Sequence, residues 1–372
     1  MAHIRSLFFC GPVQPAEDRA LAALAAGRPS HVVWNVTDRC NLKCRHCYMG
    51  ATGARAEGEL TRDEALDLVR RLGEAGVPTL FVTGGEMFTR PDIWEILEEA
   101  HAQGIRLVVS TNGTLLTASD AERLAHLGVD FAAISIYGPP AFHDSYVMVE
   151  RAYAATLRAA EALTQAGIGL CVKTTVNQDT WPHVPYVFET ARRIGAKVVY
   201  PCDLVTTGRA SDMARRSITV GQWRELADLI IREVTEDPDG LEFDIGANPS
   251  IVPYVAERLA REGHDVSAVT ERLHRMSACP VGHGHLAINA RGDIMPCQFM
   301  QDYSVGNVRE TDLADAVTAL FELGRAPVSG PCGTCEHSRT CRGCRAKAHC
   351  ATGDVLGPDP ACMLEAETAS AR

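Results

Sequence analysis

The stretch CNLKCRHCY, residues 40–48, carries three cysteines spaced Cys-x3-Cys-x2-Cys and followed by Tyr48. No fourth cysteine lies near them, whereas a structural zinc site normally closes with four ligands. One interpretation is nevertheless a zinc or purely structural role for the three cysteines. The other is a [4Fe–4S] cluster held by three thiolates, with one iron open to an outside molecule. The sequence on either side has to distinguish them.

The length and charge of the chain restrict its class. With 372 residues, 46% of them hydrophobic and 22% charged, it has the composition of a soluble globular protein and is long enough for two domains. No apolar run reaches the length of a membrane span, and the first residues lack the pattern of a signal peptide. We therefore expect a cytoplasmic protein without a membrane partner. The net charge of −11 argues against nucleic-acid binding, although a local basic patch can still bind an anionic small molecule.

From residue 31 to about residue 210 the sequence alternates strand-like and helix-like segments. In the first predicted helix, Thr61 and Glu64 form a capping box and Gly76 ends the helix. The six predicted strands lie at 31–36, 79–85, 106–113, 131–138, 169–177 and 197–204. Six strand–helix units with short connections predict an α/β fold with a parallel sheet, fewer than the eight units of a complete TIM barrel.

Polar residues follow each predicted strand. Because ligands bind at the carboxyl ends of parallel strands, we expect these segments to share one rim. They are Asp38–Cys47, Thr83–Glu86, Ser110–Gly113, Ser135–Gly138, Lys173–Asn177 and Cys202–Arg209. The three cysteines of the first stretch are therefore predicted to lie at a ligand-binding rim.

The 14 cysteines are distributed unevenly, and in a reducing compartment they favour metal binding over disulfides. Eight fall in the last quarter of the chain: Cys279, Cys297, Cys332, Cys335, Cys341, Cys344, Cys350 and Cys362. Their density predicts an N-terminal extension (1–30), a barrel (31–215), a helical linker (216–277) and a cysteine-rich domain (278–372). We interpret Cys10, Cys171 and Cys202 as buried or incidental thiols, although Cys202 ends the sixth strand at the rim.

The first cysteine motif resembles that of radical S-adenosylmethionine (SAM) enzymes. Three further segments match the family at successive strand ends: TGGE (83–86), STNG (110–113) and SIYG (135–138). The resemblance covers about residues 31–210 and implies a partial (β/α)6 TIM-like barrel, in which Cys40, Cys44 and Cys47 hold a [4Fe–4S] cluster. SAM would bind the open iron, and its one-electron cleavage would give a 5′-deoxyadenosyl radical that abstracts hydrogen from the substrate.

The same resemblance implies a set of SAM contacts. Glu86 would accept hydrogen bonds from the SAM ammonium, and Lys173 would meet the SAM carboxylate. The full set is Tyr48, Gly84, Gly85, Glu86, Ser110, Asn112, Ser135 and Lys173. Two positions depart from the family pattern: Met87 follows Glu86 where proline is frequent, and Tyr137 stands where many relatives have aspartate.

The C-terminal cysteines resemble a SPASM domain, an extension that carries auxiliary iron–sulfur clusters. The segment CGTCEHSRTCRGC (332–344) and Gly292 before Cys297 carry this resemblance, although relatives often space the last two cysteines of the run one residue further apart. One cluster would use Cys332, Cys335, Cys341 and Cys362, and the other Cys279, Cys297 and Cys344. Cys350, His283 and His285 are candidates for its fourth ligand, unless that iron is open to substrate. Two zinc sites remain the alternative.

Four basic side chains crowd this region: Arg339, Arg342, Arg345 and Lys347. They would either offset the charge of thiolate-bound clusters or anchor substrate carboxylates. The sequence singles out no catalytic acid or base. Tyr137, His143, Asp144 and Asp203 are possible pocket groups.

Finer resemblance leads to the haem-biosynthesis branch of this family. It is carried by VVWNVTDRCNLKCRHCY (32–48), SIYGPPAFHD (135–144), CPVGHGHLAINARGDIMPCQFM (279–300), VGNVRE (305–310) and GCRAKAHCATGD (343–354). The resemblance implies oxidative decarboxylation or side-chain removal on a tetrapyrrole, with ferredoxin or flavodoxin as electron donor. The text after His143 and Asp144 departs from that branch.

Two other classes are compatible with the residues. A maturase of ribosomally made peptides, or an enzyme acting on a natural-product intermediate, is the first alternative. About thirty residues precede the barrel, which we expect to be too few for a leader-recognition domain. A non-enzymatic iron–sulfur carrier is the second, but it would have no use for the glycine-rich segment 83–86.

Overall fold

Ten strands form one sheet in the computed structural model, which describes Ile4 and residues 15–237, 240–267 and 277–364. Six consecutive parallel strands make the barrel wall and confirm the predicted α/β class. They are β1 (His31–Asn35), β2 (Thr79–Thr83), β3 (Arg106–Ser110), β4 (Phe131–Ser135), β5 (Gly169–Val176) and β6 (Val198–Asp203).

Seven described helices accompany these strands. They are α1 (Pro15–Ala25), α2 (Arg62–Glu74), α3 (Ile93–Ala102), α4 (Ala118–His126), α5 (Pro140–Val147), α6 (Ala152–Gln165) and α7 (Val184–Arg193). The predicted capping box of α2 is present, since Thr61 accepts from the Glu64 amide and Glu64 accepts from the Thr61 amide at 2.7 Å. The short helix α5 had no counterpart in the sequence prediction.

The remaining elements extend the same sheet at both edges. Beyond β6 come α8 (Val220–Glu236), the short parallel strand β7 (Glu242–Phe243) and α9 (Ile251–Arg261). The cysteine-rich part contributes β8 (His285–Ile288), β9 (Asp293–Met295), β10 (Gly306–Asn307), α10 (Leu313–Arg325), α11 (Gly330–Thr334) and α12 (Arg345–Thr352).

Strand β8 pairs in parallel with β1, with His31 opposite His285. An incomplete barrel leaves one edge of β1 without a partner, and an unpaired edge exposes a row of backbone donors and acceptors. The C-terminal part covers that edge and continues the sheet as the antiparallel strands β9 and β10. The domain boundaries stay predictions, but strand pairing joins the two regions on either side of residue 278.

Side-chain alternation on the strands separates the core from the barrel interior. Along β5, Leu170, Val172 and Val176 are buried against the outer helices. Their neighbours Cys171 and Lys173 line the interior cavity instead. This two-residue period places polar groups of the strands in one enclosed space. In the described part of the chain, no helix combines the length and apolarity needed to cross a membrane.

Candidate functional site

A cavity of about 900 Å³ occupies the barrel interior and reaches the C-terminal cysteine-rich part. Eight of the fourteen cysteines of the chain line it: Cys40, Cys44, Cys47, Cys171, Cys202, Cys279, Cys297 and Cys344. All six predicted rim segments contribute at least one lining residue. The structure therefore brings the predicted strand ends together around one space, and adds the auxiliary cysteines to its wall.

The first-cysteine loop, residues 40–48, is fixed by backbone contacts. The Cys40 amide donates to the Thr52 carbonyl at 2.7 Å, and the Leu42 amide donates to the Cys40 sulfur at 3.3 Å. The Arg209 side chain donates to the Cys44 carbonyl at 2.9 Å. This arginine, which ends the sixth rim segment, thus closes the loop from the opposite side of the cavity.

Burial changes the acidity of these thiols. It raises the pKa of Cys40 to about 11, and the nearby Glu86 and Cys47 add to the effect. Burial, Cys47 and Cys40 also raise the pKa of Cys44. A metal ligand must be a thiolate, so iron binding at this loop has to displace protons from neutral thiols. The positive charge of the bound iron would then stabilise the thiolates, as water stabilises an exposed thiolate.

The spacing of the sulfurs distinguishes a cluster from a single ion. Thiolates at about 2.3 Å from one tetrahedral Zn²⁺ lie roughly 3.8 Å apart. Among the described residues, no three cysteine sulfurs lie within 4.8 Å of one another. Within the described part of the chain, neither cysteine region therefore contains a preformed tetrahedral site for a single zinc ion.

Gly84 and Gly85 lie where the chain passes closest to the first-cysteine loop. A Cβ at Gly84 would come within 2.8 Å of the Thr37 carbonyl oxygen, and one at Gly85 within 2.7 Å of the Arg39 carbonyl carbon. Both glycines also line the cavity. Their missing side chains are thus required by the chain's own backbone, in addition to any approach of a ligand.

Glu86 is buried and holds two strand ends together. Its carboxylate accepts from the Thr111 hydroxyl and the Asn112 amide, both at 2.7 Å, and from the Phe88 amide at 3.2 Å. Burial raises its pKa despite these three donors. Its side chain pins the end of β3 to the turn after β2. The Glu86 backbone carbonyl is engaged as well, by the amide and the hydroxyl of Thr89 at 3.0 and 2.7 Å. The expected contact with the SAM ammonium stays a prediction.

The other predicted SAM contacts line the cavity at neighbouring strand ends. The Asn112 amide group donates to Asn41 at 2.9 Å and lies 3.9 Å from the Cys40 sulfur, so it connects β3 to the first-cysteine loop. Ser110 ends β3 and accepts from the Lys173 ammonium at 3.3 Å. Ser135 ends β4 beside them. The geometry is compatible with contacts to a ribose, which stay predictions.

Tyr48 lies between the two cysteine regions. Its hydroxyl donates to Asn35 at 2.8 Å, and its ring meets Phe299 edge-on with centroids 5.0 Å apart. Burial raises the pKa of Tyr48, and both Cys47 and Cys297 add to the rise. The residue is therefore a structural neighbour of both cysteine regions, and its predicted SAM contact stays a prediction.

An aromatic group behind the first-cysteine loop was only partly anticipated. Tyr137 accepts from or donates to the His46 ring at 3.0 Å, and Tyr146 stacks on the same imidazole at 4.9 Å. His143 packs against Tyr137, and its Nε2 is buried without a hydrogen-bond partner. The departure from aspartate at Tyr137 was visible in the sequence. Its partnership with His46 depends on α5, which was not predicted.

The first auxiliary set consists of Cys279, Cys297 and Cys344, with Cys350 as a candidate fourth ligand, and its members lie far apart in the chain. Cys350 packs in the same apolar cluster as Cys297 and Cys344, and the electrostatic neighbours of Cys297 include Cys279 and Cys350. Cys344 lies beside Cys279. The structure thus brings all four together as candidate ligands.

The two histidine candidates for this set differ in their hydrogen bonds. Both ring nitrogens of His285 are engaged, with His31 at 2.6 Å and with Gln298 at 3.0 Å. The Nε2 of His283 is buried without a partner, and its ring lines the cavity with Cys279. A fourth ligand from histidine would therefore come from His283, while Cys350 stays the predicted cysteine ligand.

The second auxiliary set is the predicted group Cys332, Cys335, Cys341 and Cys362. Cys341 and Cys362 are electrostatic neighbours. The sulfurs of Cys332 and Cys335 each accept a backbone amide at 3.4 Å, from Asp359 and His337 respectively. Amide donors at thiolate sulfurs are a usual feature of iron–sulfur sites and tune the potential of the cluster.

Three of the four basic residues of this region are engaged by the protein itself, and the fourth, Arg339, is exposed. Arg345 donates to the Val355 and Gly357 carbonyls, at 3.0 and 2.7 Å. Arg342 donates to the Ala326 carbonyl at 2.9 Å, and Lys347 forms a buried ion pair with Asp203 of β6. These contacts favour the structural interpretation of the cations over substrate anchoring.

The isolated thiols have separate positions. Cys171 and Cys202 line the cavity, and burial raises the pKa of each to about 12. Neither belongs to the two auxiliary sets. Cys10 lies outside the described residues.

Family models and known structures match the two regions. Residues 34–182 match the radical SAM superfamily, and residues 279–345 match SPASM, an iron–sulfur cluster-binding domain. Solved structures of similar fold include SuiB of Streptococcus suis bound to S-adenosylmethionine (TM-score 0.72, 17% identity, 91% of this chain and 78% of that one). Another is anSMEcpe with bound AdoMet (TM-score 0.66, 17% identity, 89% and 93%).

Curated relatives align over most of the chain. An AdoMet-dependent heme synthase of Methanosarcina barkeri is 31% identical, over 90% of this chain and 96% of that protein. A pre-heme d1 synthase of Dinoroseobacter shibae is 32% identical, over 94% and 90%. The mycofactocin maturase MftC of Mycobacterium tuberculosis is 28% identical, over 90% and 83%.

Proposed function

The chain belongs to the radical SAM superfamily and carries a SPASM iron–sulfur domain, and from that premise we propose that it oxidatively removes a carboxylate-bearing side chain, or its carboxyl group, from a tetrapyrrole. It is an iron–sulfur enzyme whose cofactors are SAM, a [4Fe–4S] cluster and auxiliary clusters. The tetrapyrrole is inferred from relatives named for heme, pre-heme d1 and Fe-coproporphyrin III synthesis, each at least 30% identical over at least 90% of this chain.

The size and lining of the barrel cavity are the observations that carry this proposal. Its volume of about 900 Å³ lies at the upper end of the usual range for small-molecule sites. Aromatic and aliphatic side chains such as Phe81, Val108 and Phe131 line it, together with cysteines of both regions. Such a space suits a large, flat macrocycle held between a radical source and an electron acceptor.

The residues of the chain have separable roles in this proposal. Cys40, Cys44 and Cys47 would hold the SAM-binding cluster, and Cys279, Cys297, Cys344 and Cys350 would hold an auxiliary one. When bound, the clusters and SAM supply a radical that removes one hydrogen atom and an acceptor that takes one electron.

Other residues would order and protect the site. Glu86 and Asn112 hold the end of β3 against the first-cysteine loop, so that ligands meet a preformed wall. The apolar lining excludes water, which would otherwise quench a reactive radical. For a propionate side chain, loss of the hydrogen atom, one electron and CO₂ leaves a vinyl group, which balances the reaction.

An anaerobic turnover assay tests the proposal. Protein reconstituted with iron and sulfide is given SAM and dithionite, and in separate tubes iron-coproporphyrin III or didecarboxysirohaem. We expect 5′-deoxyadenosine together with a tetrapyrrole that has lost a side-chain acid, detected by mass spectrometry. The matched control omits dithionite and should give neither product.

The alternative outcome is equally specific. Formation of 5′-deoxyadenosine with both tetrapyrroles unchanged would contradict the substrate while leaving the radical chemistry intact. The similarity to the maturase MftC would then make a peptide substrate the next to test. Ferredoxin and flavodoxin would replace dithionite in a parallel series, because the physiological donor is part of the same proposal.

A further inference from the structure

Lys173 projects from the middle of β5 into the cavity and has no carboxylate partner among the described residues. Its ammonium makes one side-chain hydrogen bond, to the Ser110 hydroxyl at 3.3 Å, and lies 5.6 Å from the centre of the Tyr200 ring. We propose that this ammonium binds a carboxylate of the tetrapyrrole substrate, an inference that rests on the proposed function. Lys173 would then be a specificity-determining residue rather than a SAM contact.

The other cations of the cavity wall are already engaged or lie at its outer end. Arg209 donates to the Cys44 carbonyl, and Arg106 pairs with Asp130 at 2.5 Å. Arg19 and Lys197 are exposed, and Lys197 precedes the first residue of β6, at the end of the barrel away from the rim. Within the described part of the wall, Lys173 is therefore the interior cation that an incoming anion can reach.

Lys173 has neighbours on both sides of the cavity, and on one side these are Ser110 and Ser135, two of the predicted SAM contacts. The charge of Lys173 lowers the pKa of Cys171 and of Cys202, opposing the effect of burial. Cys202 in turn raises the pKa of Cys297, which belongs to the first auxiliary set. The cation beside Cys44 is Arg209. Lys173 is not among the groups that shift the pKa of Cys40 or Cys44, whereas it does act on Cys202. A carboxylate bound to its ammonium would therefore lie on the Cys202 side of the cavity, toward Cys297.

The physical gain is that of pairing a charge inside the cavity. A carboxylate beside the half-buried ammonium would make a charge-assisted hydrogen bond, which is stronger than a bond between neutral groups. Hydrogen bonds to charged groups typically change a binding constant by roughly ten- to a hundredfold. The proposal therefore predicts that removing the ammonium has a large effect on tetrapyrrole affinity.

Two variants and a control test this division. Lys173→Met keeps the length of the side chain but removes the charge, and Lys173→Arg keeps the charge. Lys197→Met removes another cavity-wall lysine at the opposite end of the barrel. Binding of iron-coproporphyrin III and of its tetramethyl ester is followed anaerobically by Soret difference spectra. SAM use is measured as 5′-deoxyadenosine formed with dithionite and no tetrapyrrole, and iron content reports the integrity of each protein.

We expect Lys173→Met to bind the free acid at least about tenfold more weakly than the wild type does. The wild type should bind the tetramethyl ester more weakly than the free acid, whereas Lys173→Met should bind the two with similar affinity. Lys173→Arg should recover part of the loss, and Lys197→Met should match the wild type both in tetrapyrrole binding and, within about threefold, in SAM cleavage without tetrapyrrole.

Three results would overturn the inference. Equal affinity of Lys173→Met and wild type for iron-coproporphyrin III would overturn it while leaving the proposed function intact. Loss of SAM cleavage in Lys173→Met at normal iron content, with unchanged tetrapyrrole binding, would assign the lysine to the SAM carboxylate instead. If the wild type binds neither the acid nor the ester, the proposed function and this inference fall together.

Discussion

The two cysteine regions of this protein are built in different ways. In the first-cysteine loop, three thiols lie within eight residues and are oriented by the end of one strand. The first auxiliary set takes Cys279 from before β8, Cys297 from after β9, Cys344 from the N-cap of α12 and Cys350 from within α12. One region is a local motif, whereas the other exists only when a hairpin and a helix have packed on the barrel.

This difference has a consequence for stability. The first-cysteine loop is held by the barrel core, through Glu86, Asn112 and the backbone around Thr37. The auxiliary set is held by contacts between distant segments, of which the Lys347–Asp203 pair is buried on both sides. We therefore expect the first site to tolerate changes in the C-terminal part, and the auxiliary set to depend on how that part docks.

The largest effect should come from the first-cysteine loop. Cys44→Ser should abolish formation of 5′-deoxyadenosine, because a cluster without its third thiolate cannot present an open iron to SAM. Iron content should fall by about four atoms per chain, while the absorbance of the auxiliary clusters persists. Iron analysis, electron paramagnetic resonance and product assay check this. Loss of all iron would contradict the independence of the two regions.

The next effect separates the candidates for the fourth auxiliary ligand. Cys350→Ala should lower iron content and change the resonance spectrum of the reduced auxiliary cluster, because Cys350 packs beside Cys297 and Cys344. His285→Gln is the matched control, since both nitrogens of His285 are already hydrogen-bonded. Full iron content in Cys350→Ala with loss in His283→Ala would move the fourth position to His283.

Removal of the buried ion pair between Lys347 and Asp203 should weaken the docking of α12 onto the barrel. The carboxylates Asp203 and Asp359 raise the pKa of Lys347 against the opposing effect of burial, so the lysine stays charged. Lys347→Met leaves Asp203 buried without its partner and should cost about 3–5 kcal/mol of unfolding free energy. Denaturant unfolding of the cluster-loaded protein measures this loss.

A surface pair provides the control for that experiment. Arg123 and Glu98 form an ion pair in which both side chains are about half exposed. Glu98→Ala should therefore cost less than about 1 kcal/mol. A similar loss in both variants would show that the Lys347–Asp203 pair has no special part in docking.

The smallest effect concerns pH and the aromatic group behind the first-cysteine loop. Burial lowers the pKa of His143 from 6.5 to about 4, opposed only by Asp144. The folded state therefore prefers the neutral ring, so stability is complete above pH 6.5 and is lost as the pH falls toward 4. Between pH 7.5 and 6.0 this amounts to about 0.8 kcal/mol.

Replacing His143 by glutamine should remove that part of the pH dependence. Denaturant unfolding at the two pH values measures it, and His126→Gln at an exposed position is the control. If the unfolding free energy of His143→Gln changes with pH as much as that of the wild type, other buried histidines, such as His31 and His285, cause the whole pH dependence.

Much of the barrel follows from the sequence because its signals are short-range. Strand segments, the capping box at Thr61 and the polar strand ends depend on neighbours in the chain, and the structure confirms them. Helix α5 was missed because it is short and begins at Pro140 directly after Pro139, a pattern typical of a turn. The extension of the sheet by β8 was missed because parallel pairing between distant segments leaves no local pattern.

The sequence by itself determined the kind of chemistry, because Cys-x3-Cys-x2-Cys and the strand-end segments fix ligands through spacing along the chain. Only the tertiary structure decided what surrounds them. In the tertiary structure the Glu86 carboxylate connects two strand ends by hydrogen bonds, and Lys347 pairs with Asp203. Lys173 lines the cavity without a carboxylate partner among the described residues. The physical reason is that partners of a buried charge come from segments far apart in sequence, and only packing selects them.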